Sequence, residues 1–405
     1  MTGDFELTFF LEVSDTNYSS RYQLFSVSLW ALIILLFVIF VSTVDYTFHD
    51  PDSQLYSKLG QELSAQPLKS WVAPRWVAYS GVEAYFREHP AGAIWVNAAL
   101  IRIGVPDRQA AATSNLLYFL VAFLFVFKIG RYCKDSQTGW GMVWASFLIP
   151  ISFQYIVRGN LEPPLTMAAV LGMYGIMRAH EKFGFKLLFA VALVVAVFFK
   201  GLQGGYVGLV GGLFWLLVER DRQRFYTLLS SAVALIVVML LYEWIYHFQT
   251  GEEFWLYNFR TQAVAAVQTN AILQKPYNLI WYLARALFFA LPWSIFLIAG
   301  LRNAKERAVF PNDKRWFWIM SSAAALILIM SLFDRRADRY IFTSYYLIAM
   351  GGGWYMTERF SNVKKWVSAN PYKLQICFAL SILVAAMLKV IISMNFYSNI
   401  QFWRN

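Results

Sequence analysis

Long apolar runs, broken by short polar turns, recur from the first quarter of the chain to its end. Runs of this length predict membrane-crossing helices at about 22–44, 113–129, 139–157, 164–180, 185–199, 204–218, 226–246, 278–300, 316–333, 338–357 and 373–393. The pattern is that of an all-α polytopic membrane protein with about eleven spans. The apolar piece from Ala91 to Ile103 is too short to span and reads as re-entrant or interfacial. Leu55, Leu59 and Leu63 recur at helical spacing after a polar start. One such stripe predicts a helix lying on the membrane surface.

Composition agrees. The 405 residues are 59% hydrophobic and 15% charged, a balance that would leave a soluble domain with large apolar patches. No soluble repeat or low-complexity tract interrupts the runs. The two cysteines, Cys133 and Cys377, lack metal-ligand spacing and suggest no disulfide framework. Residues 1–20 are polar and acidic rather than basic, so the first apolar run is expected to remain as a helix rather than be cleaved as a signal peptide. No soluble domain is expected after the last helix, and the whole of 1–405 reads as one transmembrane domain.

The net charge of +11 acquires a meaning once placed on this pattern. Alternate loops carry Lys128, Arg131 and Lys134; Arg178, Lys182 and Lys186; Arg220, Arg222 and Arg224; Arg302, Lys305, Arg307, Lys314 and Arg315; and Arg359, Lys364, Lys365 and Lys373. Together they hold 18 of the 35 Lys and Arg, which makes that side cytoplasmic. Anionic lipid, not nucleic acid, is the partner such charge implies. The opposite side then takes about 45–112, 158–163, 200–203, 247–277, 334–338 and the C-terminus. Two of these are long: a first external loop, 45–112, with juxtamembrane helices, and a second, 247–277. Trp71, Trp76, Tyr79, Tyr85 and Phe86 in one, and Phe254, Trp255, Tyr257 and Phe259 in the other, suit the headgroup region.

Chemistry gathers on that external side. His49-Asp50-Pro51-Asp52-Ser53-Gln54-Leu55-Tyr56 follows the first apolar run. Asp50 as a helix N-cap, Pro51 at the first helical position and Asp52 near the positive helix end account for it structurally. An acidic pair at a membrane surface can also bind a metal, hold a sugar hydroxyl or take its proton. Arg158-Gly159-Asn160-Leu161-Glu162-Pro163-Pro164, Lys200-Gly201-Leu202-Gln203 and Asp334-Arg335-Arg336-Ala337-Asp338-Arg339-Tyr340 are the other polar turns. Any one alone reads as a solvated turn. Several on one side make a site, with cations for a phosphate and carboxylates for a metal or hydroxyl. Glu88-His89-Pro90 joins them. His89, with Glu88 or His247, has metal-ligand chemistry, although four histidines without HxxxH spacing read more simply as hydrogen-bonded. Arg285, inside a predicted span, is expected to face the interior or a cavity, or to hold an internal salt bridge. Lys389, near a helix end, can snorkel.

These turns resemble the membrane glycosyltransferases of the GT-C class, in the branch of the protein O-mannosyltransferases and the aminoarabinose transferases of lipid A. The resemblance runs from about Val41 to Gly353. Asp50-Pro51-Asp52 with Tyr56 resembles the first-loop acidic motif, and its spacing to the tyrosine makes Asp52 the matching aspartate. Glu88-His89-Pro90-Ala91-Gly92 with Gly104-Val105, Glu162-Pro163-Pro164-Leu165-Thr166, Lys200-Gly201 and Arg339-Tyr340 resemble four further motifs in the same order. Two positions depart from the pattern: His89 stands where the family often has Lys, and Ser53 and Leu55 where it often has Glu and Arg.

The resemblance implies the GT-C fold and an inverting transfer of sugar from a polyprenyl-phosphate donor. The acceptor would be lipid A, another glycolipid, a glycan or a protein. Asp52, with Asp50, would serve as base; Lys200, Arg335, Arg336, Arg339, Tyr340 and Arg158 would hold the donor phosphate. Glu162, Glu88, His89 and Tyr56 would bind sugar or acceptor. A divalent metal, if used, would find ligands in Asp50, Asp52, Glu88 and His89. A bacterial inner membrane with a periplasmic site is the implied location. The alternative is a transporter or flippase of lipid-linked sugars, with the same cations and no base; a purely structural subunit is the third reading.

Overall fold

Helix starts in this chain are written by acidic caps. Asp135, Asp221 and Asp313 each accept a backbone N–H from the first turn they precede, at 2.8–2.9 Å. Each satisfies an otherwise orphaned donor at the positive helix end. Pro163 and Pro164 start another helix, where a missing N–H costs nothing. The computed structural model describes residues 51–77, 83–155, 158–264, 274–302, 313–333 and 336–359. All belong to a unit spanning Ile39–Phe360. The predicted spans 22–44 and 373–393, and Asp50, Tyr79, Arg335 and Lys389, lie outside the described residues.

The predicted apolar runs between 113 and 357 are mostly helical where they are described, but two are broken: 139–157 at Leu148–Ile149 and 278–300 at Ala290–Pro292, each giving two helices in place of one. In chain order the helices are α1 (Pro51–Ser64), α2 (Gly92–Arg102), α3 (Asp107–Cys133), α4 (Ser136–Phe147), α5 (Pro150–Tyr155), α6 (Glu162–Met177) and α7 (Phe183–Lys200). There follow α8 (Tyr206–Leu217), α9 (Arg222–Thr250), α10 (Trp255–Phe259), α11 (Gln274–Phe289), α12 (Trp293–Arg302), α13 (Lys314–Ser331) and α14 (Phe342–Arg359). Among the described residues, three stretches are long and apolar enough to cross a membrane: Asp107–Cys133, Phe183–Leu217 and Arg222–Thr250.

The core is helix on helix. α6 packs on α7, α3 and α8; α14 packs on α4, α13 and α12. The α4–α14 crossing is backbone-close, since a Cβ on Gly353 would lie 2.5 Å from the Gly141 carbonyl oxygen. Helix α9 is the outlier, with 17% of its apolar window buried against 56% for the other two stretches. Leu229, Val233, Ile236, Leu240 and Trp244 face outward along it, as lipid contact requires.

The first loop forms a cap of α1, α2 and a two-stranded antiparallel ribbon of β1 (Arg75–Val77) and β2 (Glu83–Tyr85), with Trp76 opposite Ala84. The stripe on α1 points the other way from expectation. Leu59 and Leu63 are buried against Phe86, Ile94 and Tyr118, while Gln54, Lys58, Gln61 and Glu62 face outward. Protein rather than lipid covers the stripe, because α2 and α3 offer an apolar face at the same spacing. The loop aromatics also cluster: Tyr242, Tyr246, Phe254 and Ala73 form a common core, with Trp255 and Tyr85 against it.

Candidate active site

Helix ends deliver the charged side chains to one place. Asp52 and Tyr56 sit one turn apart at the start of α1. Glu162 opens α6, and Lys200 closes α7. After Lys200 the chain reverses at Gly201, whose φ of 59° lies in the left-handed region, and enters a 3₁₀ turn, Gly201–Gly205. Arg339 and Tyr340 lie in a second 3₁₀ turn, Asp338–Ile341, immediately before α14. Two buried hydrogen bonds hold these ends in register. Thr166 and Thr343 hydroxyls meet at 2.9 Å and tie α6 to α14; Ser53 Oγ donates to Asn160 Oδ1 at 3.1 Å and ties α1 to the turn before α6.

Between them is a cavity of about 410 Å³. Its lining includes Asp52, Tyr56, Glu88, His89, Glu162, Lys200, Arg339 and Tyr340. It also includes the apolar side chains of Leu202, Leu209, Leu326, Ile329, Met330 and Phe333.

Two ion pairs of opposite character stand in the cavity wall. Lys200 Nζ donates to Glu162 Oε1, and both side chains are almost fully buried, at 6% and 4% exposure. Arg339 pairs with Asp52 Oδ2, and here both side chains are about one-third open, at 35% and 33%. The two pairs touch, because Arg339 Nε lies 4.0 Å from Glu162 Oε1. Burial, and then the nearby Lys200 ammonium, pushes the His89 imidazole down to about 3. It is therefore neutral at physiological pH, and its buried Nδ1 has no hydrogen-bond partner among the described residues. Three carboxylates thus face two cations.

Asn258 and Gln262, the latter in the cavity wall, hold the Glu88-His89 segment. Asn258 Nδ2 donates to the Glu88 carbonyl at 2.9 Å and the Arg87 carbonyl at 3.3 Å; Gln262 Nε2 donates to the Glu88 carbonyl at 2.9 Å. Arg87 itself pairs with Glu252 at 3.1 Å and stacks 4.0 Å from the Tyr257 ring centre. Gln203 Nε2 donates to the Tyr340 carbonyl at 2.8 Å and joins the two 3₁₀ turns.

Solved structures share this fold. ArnT from Cupriavidus metallidurans, bound to undecaprenyl phosphate, superposes with a TM-score of 0.67 at 17% identity, over 84% of this chain and 60% of that one. The archaeal oligosaccharyltransferase AglB from Archaeoglobus fulgidus, in complex with an inhibitory peptide and a dolichol-phosphate, superposes with a TM-score of 0.57 at 11% identity, over 92% of this chain and 55% of that one. The fold is that of the GT-C glycosyltransferases. The chain spans about 60% of the length of ArnT. No protein-family model and no curated protein sequence matches it.

Within the GT-C fold the expected residues divide. Asp52, Tyr56, Glu88, His89, Glu162, Lys200, Arg339 and Tyr340 share the cavity. Arg158 stacks 5.5 Å from the Tyr155 ring centre and is not part of the wall. Arg336 turns away to stack over Tyr277 at 4.8 Å and Trp281 at 6.0 Å. Arg285 reaches Asp338 at 3.4 Å, the internal salt bridge, and stacks on Trp281. His247 meets the Glu252 carbonyl and takes no part in the cavity. Among the described residues no three His, Cys, Asp or Glu side chains converge as metal ligands. Asp52 and Glu162 are both engaged by cations, and Asp50, the fourth expected ligand beside Asp52, Glu88 and His89, lies outside the described residues.

Sequence reasoning missed Gln203, Asn258, Gln262 and the apolar wall. Gln203 and Asn258 were neutral residues beside charged or aromatic ones, and nothing in their spacing marked them.

Proposed function

We propose that this chain transfers a sugar from a polyprenyl-phosphate donor to a hydroxyl acceptor on the outer face of the membrane, with inversion at the anomeric carbon. The observation that carries this reading is one cavity lined by both kinds of group. Carboxylates and cations that suit a sugar and a phosphate meet a wall of Leu, Ile, Met and Phe that suits an isoprenoid chain. The ligands of the two solved complexes, undecaprenyl phosphate and dolichol-phosphate, have that same two-part chemistry.

Charge supports the sidedness. Glu162, Lys200 and Arg339 mark the cavity ends of α6, α7 and α14, while Arg178, Lys182 and Lys186 mark the opposite ends of α6 and α7. The basic ends are then cytoplasmic in a topology of about eleven spans. The cavity would open to the periplasmic side of a bacterial inner membrane.

In the reaction, the acceptor oxygen attacks the anomeric carbon as the bond from that carbon to the phosphate oxygen breaks. The polyprenyl phosphate leaves with the bonding electrons, and the acceptor proton passes to Asp52. Asp52 is assigned this role because its carboxylate is open to the cavity, whereas Glu162 is buried. Arg339, with Tyr340 beside it, would neutralise the leaving phosphate. Lys200 would act at longer range from its pair with Glu162. Glu88, His89, Glu162 and Tyr56 would bind sugar or acceptor hydroxyls. The acceptor would be a glycolipid, a glycan or a protein.

A turnover assay in detergent tests this, with a panel of undecaprenyl-phosphate sugars and a crude envelope acceptor fraction. Asp52→Asn should lower turnover by about 10²–10⁴ and leave the protein folded. Near-normal turnover in that variant would remove Asp52 as base. Lipid-phosphate binding without transfer from any donor would turn the reading toward a flippase.

A further inference from the structure

Resting on that reading, we propose that Asp52 is an internal competitor for the donor-binding arginine. In the donor-free protein Asp52 occupies Arg339, and the donor phosphate must displace it, which frees Asp52 to act as a base only once donor is in place.

Two roles conflict in one ion pair. The group best placed to receive a proton and the group best placed to receive a phosphate are each other's partner. Both cannot work while they are paired. An arginine at hydrogen-bond distance stabilises the ionised carboxylate and so weakens it as a base. The same carboxylate occupies part of the planar fork that a phosphate would use.

Exposure decides which of the two ion pairs can exchange. Lys200–Glu162 is enclosed, at 6% and 4% exposure, and taking its lysine would leave a buried carboxylate with only Arg339, 4.0 Å away, to compensate it. Arg339–Asp52 is one-third open on both sides and stands in the wall of the cavity where a ligand would arrive. Opposing charges at such positions are held by little net free energy. Arg339 also has somewhere to turn without losing all compensation, because Glu162 lies 4.0 Å from its Nε. A phosphate entering here exchanges one anion for another on Arg339. No covalent bond changes, and Asp52 is left facing the cavity with its electrostatic restraint removed.

Binding, not turnover, isolates this device. The probe is undecaprenyl phosphate without sugar, titrated against the purified full chain in one detergent. Asp52→Asn and Asp52→Ser each remove the competing charge and should bind the lipid phosphate about two- to tenfold more tightly than the wild type, the range for a partly exposed charge-assisted contact. Arg339→Gln should bind more weakly, and in Asp52→Asn/Arg339→Gln the gain should vanish. Asn and Ser variants that bind no tighter than wild type, or a gain that survives without Arg339, overturn the proposal. Failure of the wild type to bind the lipid phosphate at all is a different result: it removes the donor reading itself, and the competition with it.

Discussion

The Lys200–Glu162 pair allows a sharp energetic test. Lys200 joins a cation to Glu162 at a site where the two residues are 7% and 3% exposed. Removing one partner of such a pair typically costs about 3–5 kcal/mol, because the survivor is a buried charge without compensation. The structure makes the two removals unequal. In Lys200→Met, Glu162 keeps Arg339 at 4.0 Å, so the loss should fall below that range. In Glu162→Leu, the neighbouring His89 is neutral and offers Lys200 no negative charge, so the full cost applies. Lys200→Met/Glu162→Leu replaces the pair with apolar groups and should lie well above the additive expectation, with a coupling of about 1–3 kcal/mol. Denaturant titration in one detergent, followed by the fluorescence of the 16 tryptophans, reads all four proteins. Additive losses, or a lysine removal as costly as the glutamate removal, would refute the reasoning.

Three further expectations follow from the walls of the cavity. Gly201→Ala should destabilise by at least about 1 kcal/mol, since a φ of 59° is costly for an L residue and the new Cβ would stand 3.0 Å from Asn258 Oδ1; its denaturation midpoint checks this. Asn258→Ala, which frees the Arg87 carbonyl and leaves the Glu88 carbonyl to Gln262, should cost about 1–3 kcal/mol and lower turnover together, and a variant with wild-type turnover would detach this loop from the site. His89 binds its proton less readily folded, at about 3, than unfolded, at 6.5. Between those values the unfolded chain holds more protons, so stability should rise with pH through that window and fall on acidification, by at most about 1.4 kcal/mol per pH unit. A His89→Gln variant should show a flatter pH dependence of its denaturation midpoint across the same window.

How much of this was legible beforehand depended on charge. In a chain that crosses a membrane, every charged residue outside a span must surface at a helix end, and the positive-inside bias sorts those ends into two sides. Sidedness alone therefore brought Asp52, Glu162, Lys200 and Arg339 to a common face before any coordinates. Pairing within the face was another matter. Asp52 and Arg339 are separated by 287 positions, and nothing local says that Arg339 enters the cavity while Arg336, three residues earlier, stacks on Tyr277. The 3₁₀ geometry of Asp338–Ile341 decides that, and it is set by docking onto α11, α13 and α14.

The apolar side was opaque for a complementary reason. In water, an apolar stripe is an instruction to face inward. In a bilayer, a leucine is equally served by lipid and by protein, so the pattern loses its direction. Leu59 and Leu63 on α1 matched a membrane-surface helix and are instead buried in protein; Leu229 and Val233 on α9 have the same chemistry and face outward. Leu209, Leu326 and Ile329 are indistinguishable from either in sequence, yet they line the cavity. Hydropathy tells a membrane chain where its helices are and leaves their faces undetermined, whereas a charge costs too much in hydrocarbon to be indifferent. The charged residues of this cavity could therefore be named from the sequence, although Arg158 and Arg336 were named with them and lie outside its wall, and its apolar lining could be found only from the packing of α8 and α13.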